Sequence, residues 1–423
     1  MAQQSLLGGV PMHWMTEWAS PYPIFVTHAE GARVTDADGN TYVDFCLGDT
    51  GAMTGHSPRP TIEAIARQGK RGLTVMLPTE DAIWVSRELA RRFGVRFWQF
   101  ALTATDANRF VLRLARELTG RSKVLVFNWC YHGSVDEALA VVDGLSLGPR
   151  PGSVGPPCDP SRTTRVVEWN DVDALERALA SEEIACVLAE PALTNIGIVL
   201  PNPGYHEALR EATRKHGTLL VIDETHTICC GPGGFTKAHG LEPDFVTIGK
   251  TIAGGFPASA YGFTSDVARS IERRVDTTLA DVGGIGGTLA GNALSIAAIR
   301  ATLEGVLTED AFERMIPLAR RFVNGVDEII RERSLPWHVV QLGARVEYRF
   351  SPDPPRDGGE AATAVDAELE KLMHLYAMNR GILLTPFHNM ALMSPYTAHE
   401  DVDHHTEVFA AAVSDVVESA EEE

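Results

Sequence analysis

Short apolar runs alternate with amphipathic segments through the centre of the chain. Between about residues 100 and 270 these runs are KVLVFN (123–128), TRVVEW (164–169), ACVLAE (185–190), LLVID (219–223), DFVTIG (244–249) and SAYGFT (259–264). Continuous apolar strands that alternate with helices are typical of a parallel sheet covered on both faces. The pattern therefore predicts an α/β protein whose large domain is built on a parallel sheet.

The two ends of the chain have a different pattern. The segment PIFVTHAEGARVTDADGNTYVDF predicts a strand pair, with a turn at Asp38-Gly39. Helical segments follow from about 60 to 71 and 79 to 93, and after about residue 300 long helices precede strands near VEYRF (346–350) and GILLTP (381–386). We predict a smaller α+β domain formed by both ends, with residues 1–70 as its N-terminal segment, 71–305 as the large domain and 306–423 as its C-terminal part.

Composition narrows the class of protein. Hydrophobic residues make up 44% of the chain and charged residues 22%, as in ordinary globular proteins. A net charge of −19 disfavours nucleic acid and anionic membranes as partners. The start, MAQQSLLGGVPMHWM, shows no signal peptide, and six cysteines without CxxC spacing indicate a reducing compartment. We expect a cytoplasmic protein that acts on small molecules.

Lysine is rare here, which makes Lys250 conspicuous. Only six of the 37 basic residues are lysines, and Lys250 follows an apolar strand and precedes a Gly-Gly turn. Burial disfavours the ammonium form, and a neutral lysine in a dry pocket is what Schiff-base chemistry needs. Alternatively, the side chain extends from the strand end to water.

Two carboxylates end neighbouring apolar runs. Glu190 ends ACVLAE and Asp223 ends LLVID, and ligand sites of open α/β sheets lie at the carboxyl ends of the strands. A buried Asp223 needs a cationic partner, which a protonated pyridine nitrogen would provide. A helix-capping or turn aspartate is the alternative.

Three further segments could bind a phosphorylated aromatic cofactor. In ALTATDANRF, Thr103 and Thr105 open a helix whose first-turn amides could hold a phosphate, although Thr103 could be a plain N-cap. In NWCYHG, Tyr131 or His132 could lie against an aromatic ring or simply pack on the sheet edge. Thr288 lies in a glycine-rich loop before a helix, which again suits a phosphate.

The stretch LVIDETHTICCGPGGF raises a different possibility. A metal-dependent hydrolase would use ligands from it, namely Asp223, Glu224, His226, Cys229 and Cys230. Zinc normally takes spaced ligands from two elements, so this crowded stretch is a poor match. We expect no metal site.

The order of motifs resembles the class III aminotransferases, which are fold type I enzymes dependent on pyridoxal 5′-phosphate. The resemblance, which runs from about residue 7 to residue 409, is to the glutamate-1-semialdehyde 2,1-aminomutase subgroup. It rests on GARVTDADGNTYVDF, GHSPRPTIEAI, CYHG, LAEP, LLVIDE, TIGKTIAGGFP, GGTLAGNALSIAA and GILLTP. It implies a mainly parallel seven-stranded sheet, a homodimer and pyridoxal 5′-phosphate as cofactor.

The same resemblance assigns roles to residues of this sequence. It makes Lys250 the Schiff-base lysine and Asp223 the partner of the pyridine nitrogen. It implies that the other cofactor contacts are Thr103, Ala104, Thr105, Tyr131, His132, Glu190, Thr225, His226 and Thr288, with Thr288 reaching the phosphate of the partner subunit.

Several positions depart from the family pattern. Asp106 stands in place of Glu, Ala104 in place of Gly, and Thr225 and His226 in place of Val and Met or Gln. Met12 and Met15 occupy the positions of a serine and an arginine that hold the substrate carboxylate in the aminomutases, and Asn389 that of a glutamate. Because methionine cannot imitate a bidentate Arg–carboxylate contact, we expect a substrate other than glutamate semialdehyde.

We therefore predict an aminotransferase that moves an amino group from an amine or β-amino acid to a keto acid or ketone, by a ping-pong mechanism through a Lys250 aldimine. An aminomutase-type intramolecular transfer is the alternative. The predicted donor pocket is apolar and aromatic, although its residues could be ordinary core: Trp14, Met15, Trp18, Tyr22, Trp84 and Asn389.

Overall fold

The computed structural model describes residues 2–144, 146–155, 159–276 and 284–422. They form two compact units. The larger comprises Arg59–Glu309 and Pro355–Thr363, and the smaller comprises Met1–Pro58, Asp310–Pro354 and Ala364–Glu423. The helix Arg59–Gly69, which the sequence analysis placed in the N-terminal segment of the small domain, belongs to the larger unit.

The strands and helices are numbered in chain order. The strands are β1 (Val26–Glu30), β2 (Arg33–Asp36), β3 (Thr41–Asp44), β4 (Phe97–Ala101), β5 (Lys123–Phe127), β6 (Ala140–Asp143), β7 (Ser146–Pro149), β8 (Thr164–Val167), β9 (Ile184–Ala189), β10 (Leu219–Asp223), β11 (Phe245–Ile248), β12 (Ser259–Phe263), β13 (His338–Leu342), β14 (Arg345–Arg349), β15 (Ile382–Leu383) and β16 (Met390–Leu392). The helices are α1 (Arg59–Gly69), α2 (Glu80–Phe93), α3 (Ala104–Thr119), α4 (Val172–Leu179), α5 (Tyr205–Lys215), α6 (Gly234–His239), α7 (Ser265–Arg274), α8 (Ala293–Gly305), α9 (Glu309–Glu332), α10 (Gly358–Thr363), α11 (Ala367–Met378) and α12 (His399–Glu422).

The larger unit is built on a seven-stranded sheet of order β4-β12-β11-β10-β9-β5-β8. Strands β8, β5, β9, β10 and β11 run parallel, and β12 runs antiparallel to both of its neighbours. The prediction of a mainly parallel seven-stranded sheet is confirmed. Every residue of β9 is buried, which explains why this strand is continuously apolar.

Strand β4 was missed by the sequence analysis. It lies at the edge of the sheet, and its residues FWQFA alternate between exposed and buried instead of forming a continuous apolar run. A search for continuous apolar runs finds central strands and overlooks an edge strand of this kind.

Helix α3 carries residues of one face into the core and packs on β9, β11 and β12. Its buried positions are Ala107, Asn108, Val111, Leu112, Leu114 and Ala115. The Thr103 side chain accepts a hydrogen bond from the Asp106 amide at 3.1 Å, and Gly120 ends the helix in a left-handed conformation. Thr103 is therefore an N-cap, the alternative left open by the sequence.

The Pro/Gly-rich segment between Gly144 and Arg162 contains a strand. Residues Ser146–Pro149 form β7, which pairs antiparallel with β6 through a turn that includes Gly144 at φ +59°. The turn at glycine and the short alternating flanks favour a hairpin. Leu145 and residues 156–158, with Cys158 among them, lie outside the described residues.

The smaller unit contains two sheets, of order β1-β2-β3-β15 and β13-β14-β16. The predicted turn at Asp38-Gly39 joins β2 to β3, where the Asp36 carboxylate accepts hydrogen bonds from the amides of Asp38 and Asn40. Within the described part of the chain, no helix has the length and apolar character that crossing a bilayer requires.

Candidate active site

The candidate site lies in the larger unit, where four neighbouring parallel strands end at one edge of the sheet. Asp223 ends β10, Glu190 follows β9, the segment with Tyr131 and His132 follows β5, and Lys250 follows β11. The side chains at this edge are joined by a hydrogen-bond network.

Three hydrogen bonds hold the Asp223 carboxylate in this network. Its Oδ2 lies 2.9 Å from His132 Nδ1 and accepts from the Asn108 amide at 2.9 Å, and its Oδ1 accepts from the Thr225 amide at 3.0 Å. Burial raises the pKa of Asp223, but these hydrogen bonds outweigh burial and hold the pKa at about 2. The carboxylate is therefore anionic although it is only 4% exposed.

Burial and nearby polar groups also shift the pKa values of the neighbouring His132 and Glu190. Burial lowers the pKa of His132, whereas Cys130 and the bonded Asp223 raise it, and the net shift is upward. Burial raises the pKa of Glu190, although donors that include Thr194 and the Tyr131 amide partly offset it. The two side chains give the buried edge a polar lining.

Lys250 leaves the sheet in an unusual backbone conformation. It has φ +50°, and it begins a short 3-10 helix, Lys250–Ala253. Its Nζ lies 2.8 Å from His226 Nε2. Gly249 packs against α3, since a Cβ at this position would lie 3.0 Å from that of Ala104. The backbone from which the Lys250 side chain extends is therefore held in place at the end of β11.

The N-terminus of α3 meets the loop that follows β5. Gly133 has φ +80°, and a Cβ there would lie 2.1 Å from Thr105 Oγ1, which accepts a hydrogen bond from the Ser134 amide. The close approach brings this loop beside the first-turn amides of the helix. Such amides lack intrahelical partners and favour anions.

Glu224 stabilises the backbone next to the site. It is fully buried and accepts hydrogen bonds from the Thr227 hydroxyl and from the amides of Phe235 and Thr236. Burial raises the pKa of its carboxyl group, which these donors oppose. In the described parts of the chain, no three His, Cys, Asp or Glu side chains form a metal-binding group.

The remaining residues named by the sequence analysis lie elsewhere. Thr288 is exposed in the loop before α8, and Trp84 on α2 lies under the Arg300 guanidinium, 5.3 Å from it. The other substrate candidates belong to the smaller unit. There Trp14 packs edge-on against Phe387, Met15 and Tyr22 are exposed, Trp18 packs on a small core cluster, and Asn389 is buried 3.2 Å from His374 Nε2.

The sequence analysis missed two residues of the Asp223 hydrogen-bond network, Asn108 and Thr247. Asn108 bonds Asp223 through its amide nitrogen, while its oxygen accepts a hydrogen bond from the Thr247 hydroxyl at 2.7 Å. A polar side chain on the buried face of an amphipathic helix is the signal that could have identified Asn108.

The site fits a phosphorylated pyridine. The anionic Asp223 carboxylate can pair with a pyridinium nitrogen. The Lys250 amine can form a Schiff base with a carbonyl carbon. Two buried polar atoms at this edge, His132 Nε2 and Thr225 Oγ1, have no hydrogen-bond partner among the described residues. Thr103, Ala104 and Thr105 lie where first-turn amides would meet a phosphate.

Comparison with known proteins points in the same direction. Residues 14–413 match the profile of the family described as Aminotransferase class-III. The glutamate-1-semialdehyde 2,1-aminomutase of Methanosphaera stadtmanae is 32% identical over 388 residues, 90% of each chain.

Two solved structures extend the likeness. A variant of a glutamate-1-semialdehyde aminomutase from Pseudomonas aeruginosa PAO1, in complex with PMP, is 52% identical, with a TM-score of 0.95 over 98% of this chain and 92% of that one. An omega-transaminase from Sphaerobacter thermophilus is 28% identical, with a TM-score of 0.88 over 98% and 95% of the respective chains.

Proposed function

The chain belongs to the class III aminotransferase family, whose cofactor is pyridoxal 5′-phosphate, and on that premise we propose that it catalyses an intramolecular amino-group transfer of the aminomutase type. The sequence alone favours intermolecular transfer. The observation that reverses this order is the similarity to named aminomutases over at least nine tenths of the chain.

Each residue at the sheet edge has a separate role in the proposed reaction. When bound, the cofactor supplies an electron sink for the bond that breaks at the amine-bearing carbon. Lys250 holds the cofactor and carries a proton on Nζ to and from the substrate carbon. Asp223 remains anionic and keeps the pyridine nitrogen protonated. Asn108 and His132 orient Asp223.

The proposed phosphate contacts are the N-terminus of α3, with Thr103, Ala104 and Thr105, and Thr288 from a second subunit. The exposure of Thr288 in a single chain supports a role toward a neighbouring subunit. Tyr131 and His132 would line the ring with Thr225 and His226, and Glu190 would support Tyr131 through its amide.

The discriminating experiment uses glutamate-1-semialdehyde as the sole substrate. Purified protein loaded with the amino form of the cofactor is incubated with no other donor or acceptor. An aminomutase converts the substrate over many turnovers into its isomer with the amino group on carbon 1. If only about one equivalent of glutamate-1-semialdehyde is consumed per active site, the result would contradict the proposal.

A second candidate is an intermolecular aminotransferase. It is supported by Met15 in the position of the carboxylate-binding arginine and by the likeness to an omega-transaminase. It predicts steady turnover of (S)-1-phenylethylamine or β-phenylalanine only when a keto acid is supplied.

A further inference from the structure

A histidine contacts the lysine on which the proposed function rests. His226 follows Asp223 by three residues, is 6% exposed and places Nε2 at 2.8 Å from Lys250 Nζ. We propose that His226 is a positioning residue that accepts a hydrogen bond from Lys250 Nζ on Nε2 and thereby fixes the direction of that nitrogen. The inference depends on Lys250 being the cofactor-bearing lysine.

The backbone around His226 is held from both sides. On one side the Thr225 amide donates to Asp223 at 3.0 Å. On the other side the Thr227 hydroxyl donates to Glu224, whose other oxygen accepts from the Thr236 amide. The imidazole is therefore presented by a segment that is tied to two buried carboxylates.

The lysine needs such a partner because its side chain is long. Gly249, packed on Ala104, and the left-handed φ of Lys250 fix the backbone of the lysine, yet its four-carbon side chain retains many rotamers. A single hydrogen bond at the tip removes most of that freedom. A correctly directed nitrogen is what proton transfer to and from a substrate carbon requires.

The chemistry of the pair determines which atom donates. Two nitrogens at 2.8 Å share one proton, and two adjacent buried cations would repel each other. The imidazole therefore accepts from the Lys250 nitrogen on Nε2 and carries its own proton on Nδ1. The family pattern that this sequence resembles usually has Met or Gln at this position.

That comparison supplies matched variants. His226→Met removes the acceptor, and His226→Leu does so with an aliphatic side chain should the first variant fail to fold. His226→Gln retains an acceptor oxygen. The other titratable groups at this edge, His132, Glu190, Asp223 and Glu224, are the same in every variant.

The test is a spectroscopic pH titration of the resting holoenzyme. The visible absorbance of the cofactor on Lys250 reports whether the linking nitrogen is protonated. Loss of the acceptor should lower the titration midpoint by about one pH unit in His226→Met, since a hydrogen bond to a charged group is worth about that much. His226→Gln should stay within about 0.3 unit of wild type.

A midpoint in His226→Met that equals the wild-type value would overturn the role of His226. Failure of the Lys250 assignment, on which this inference depends, has a different signature, because borohydride would then fix no cofactor on residue 250. Failure of intramolecular transfer alone would leave both the fixation and the titration midpoint unchanged and would appear only as conversion that requires a separate acceptor. The single-turnover rate with an amine donor provides a second readout. It should fall about tenfold in His226→Met at unchanged substrate affinity and recover in His226→Gln.

Discussion

At the scale of single residues, Asp223 shows how a buried carboxylate is kept charged. Burial alone raises its pKa, and three donors from the segment after β10, from α3 and from the loop after β5 reverse that effect. The strand-end position of Asp223 is visible in the sequence. The donors are not, because Asn108 and His132 lie 115 and 91 residues away along the chain.

Replacing this charge should slow chemistry more than it harms folding. Asp223→Asn retains the shape and the hydrogen-bonding oxygen but cannot keep a pyridine nitrogen protonated. We expect the single-turnover rate of amine deprotonation to fall at least about 100-fold. Asp171→Asn, which changes the N-cap of α4 to an equally good cap, is the control. An unchanged rate in Asp223→Asn would refute the electron-sink assignment.

The sequence also predicted residues whose immediate contacts it could not specify. Lys250 is conspicuous because lysine is rare and a Gly-Gly turn follows, but its contact with His226 depends on how two loops from adjacent strands fold. Thr103 is the reverse case, because threonine before a helix permits a cap, a phosphate contact or both. The structure shows the cap, and the phosphate contact stays a prediction.

At the scale of elements, the junction between α3 and the loop after β5 is the tightest feature of the site. Gly133 combines φ +80° with a close approach to Thr105, so a side chain at this position is excluded on two grounds. The sequence showed the helix start and the motif CYHG separately. Their contact follows from the parallel order of β5, β9 and β10, which brings distant segments to one edge.

Gly133→Ala should loosen this junction. We expect a loss of about 1–3 kcal/mol in the free energy of unfolding, from the left-handed φ and the clash with Thr105. Cofactor affinity should fall about tenfold as the loop moves away from the helix amides. Urea denaturation and equilibrium cofactor binding measure both effects.

The matched control for this variant is Gly148→Ala in β7. A Cβ at Gly148 meets no atom within 4 Å, and its backbone is outside the left-handed region. Equal losses in the two variants would show that the junction at Gly133 has no special role.

At the scale of the whole molecule, the alternation of apolar runs predicted six of the seven strands of the large sheet. The half-exposed β4 and the hairpin β6–β7 were not predicted, because their residues do not form continuous apolar runs. The pattern also does not show where polar groups are buried in the smaller unit. There His405 is stacked on Phe322 with ring centroids 4.1 Å apart.

His405 makes the stability of the protein sensitive to acid. Burial lowers the pKa of His405 from 6.5 to about 3, so the unfolded chain binds a proton that the folded chain excludes. Stability therefore falls as the pH drops from about 6.5 toward 3. Between pH 7 and pH 5 this one residue should cost about 2 kcal/mol.

His405→Phe should remove that contribution while keeping a ring in the stack. The difference in the free energy of unfolding between pH 7 and pH 5, measured in urea, should shrink by about 2 kcal/mol. His399→Phe, which changes an exposed histidine at the start of α12, should leave the difference as in wild type. An equal pH dependence in wild type and His405→Phe would contradict this assignment.

Chemical fixation identifies the residue that carries pyridoxal 5′-phosphate. Holoenzyme is reduced with borohydride and digested, and the cofactor is located by peptide mass spectrometry, with the other five lysines as internal controls. We expect modification at Lys250 alone, its loss together with turnover in Lys250→Ala, and its retention in Lys215→Ala. Cofactor fixed on another lysine, or turnover that survives in Lys250→Ala, would show that Lys250 is not the cofactor-bearing residue.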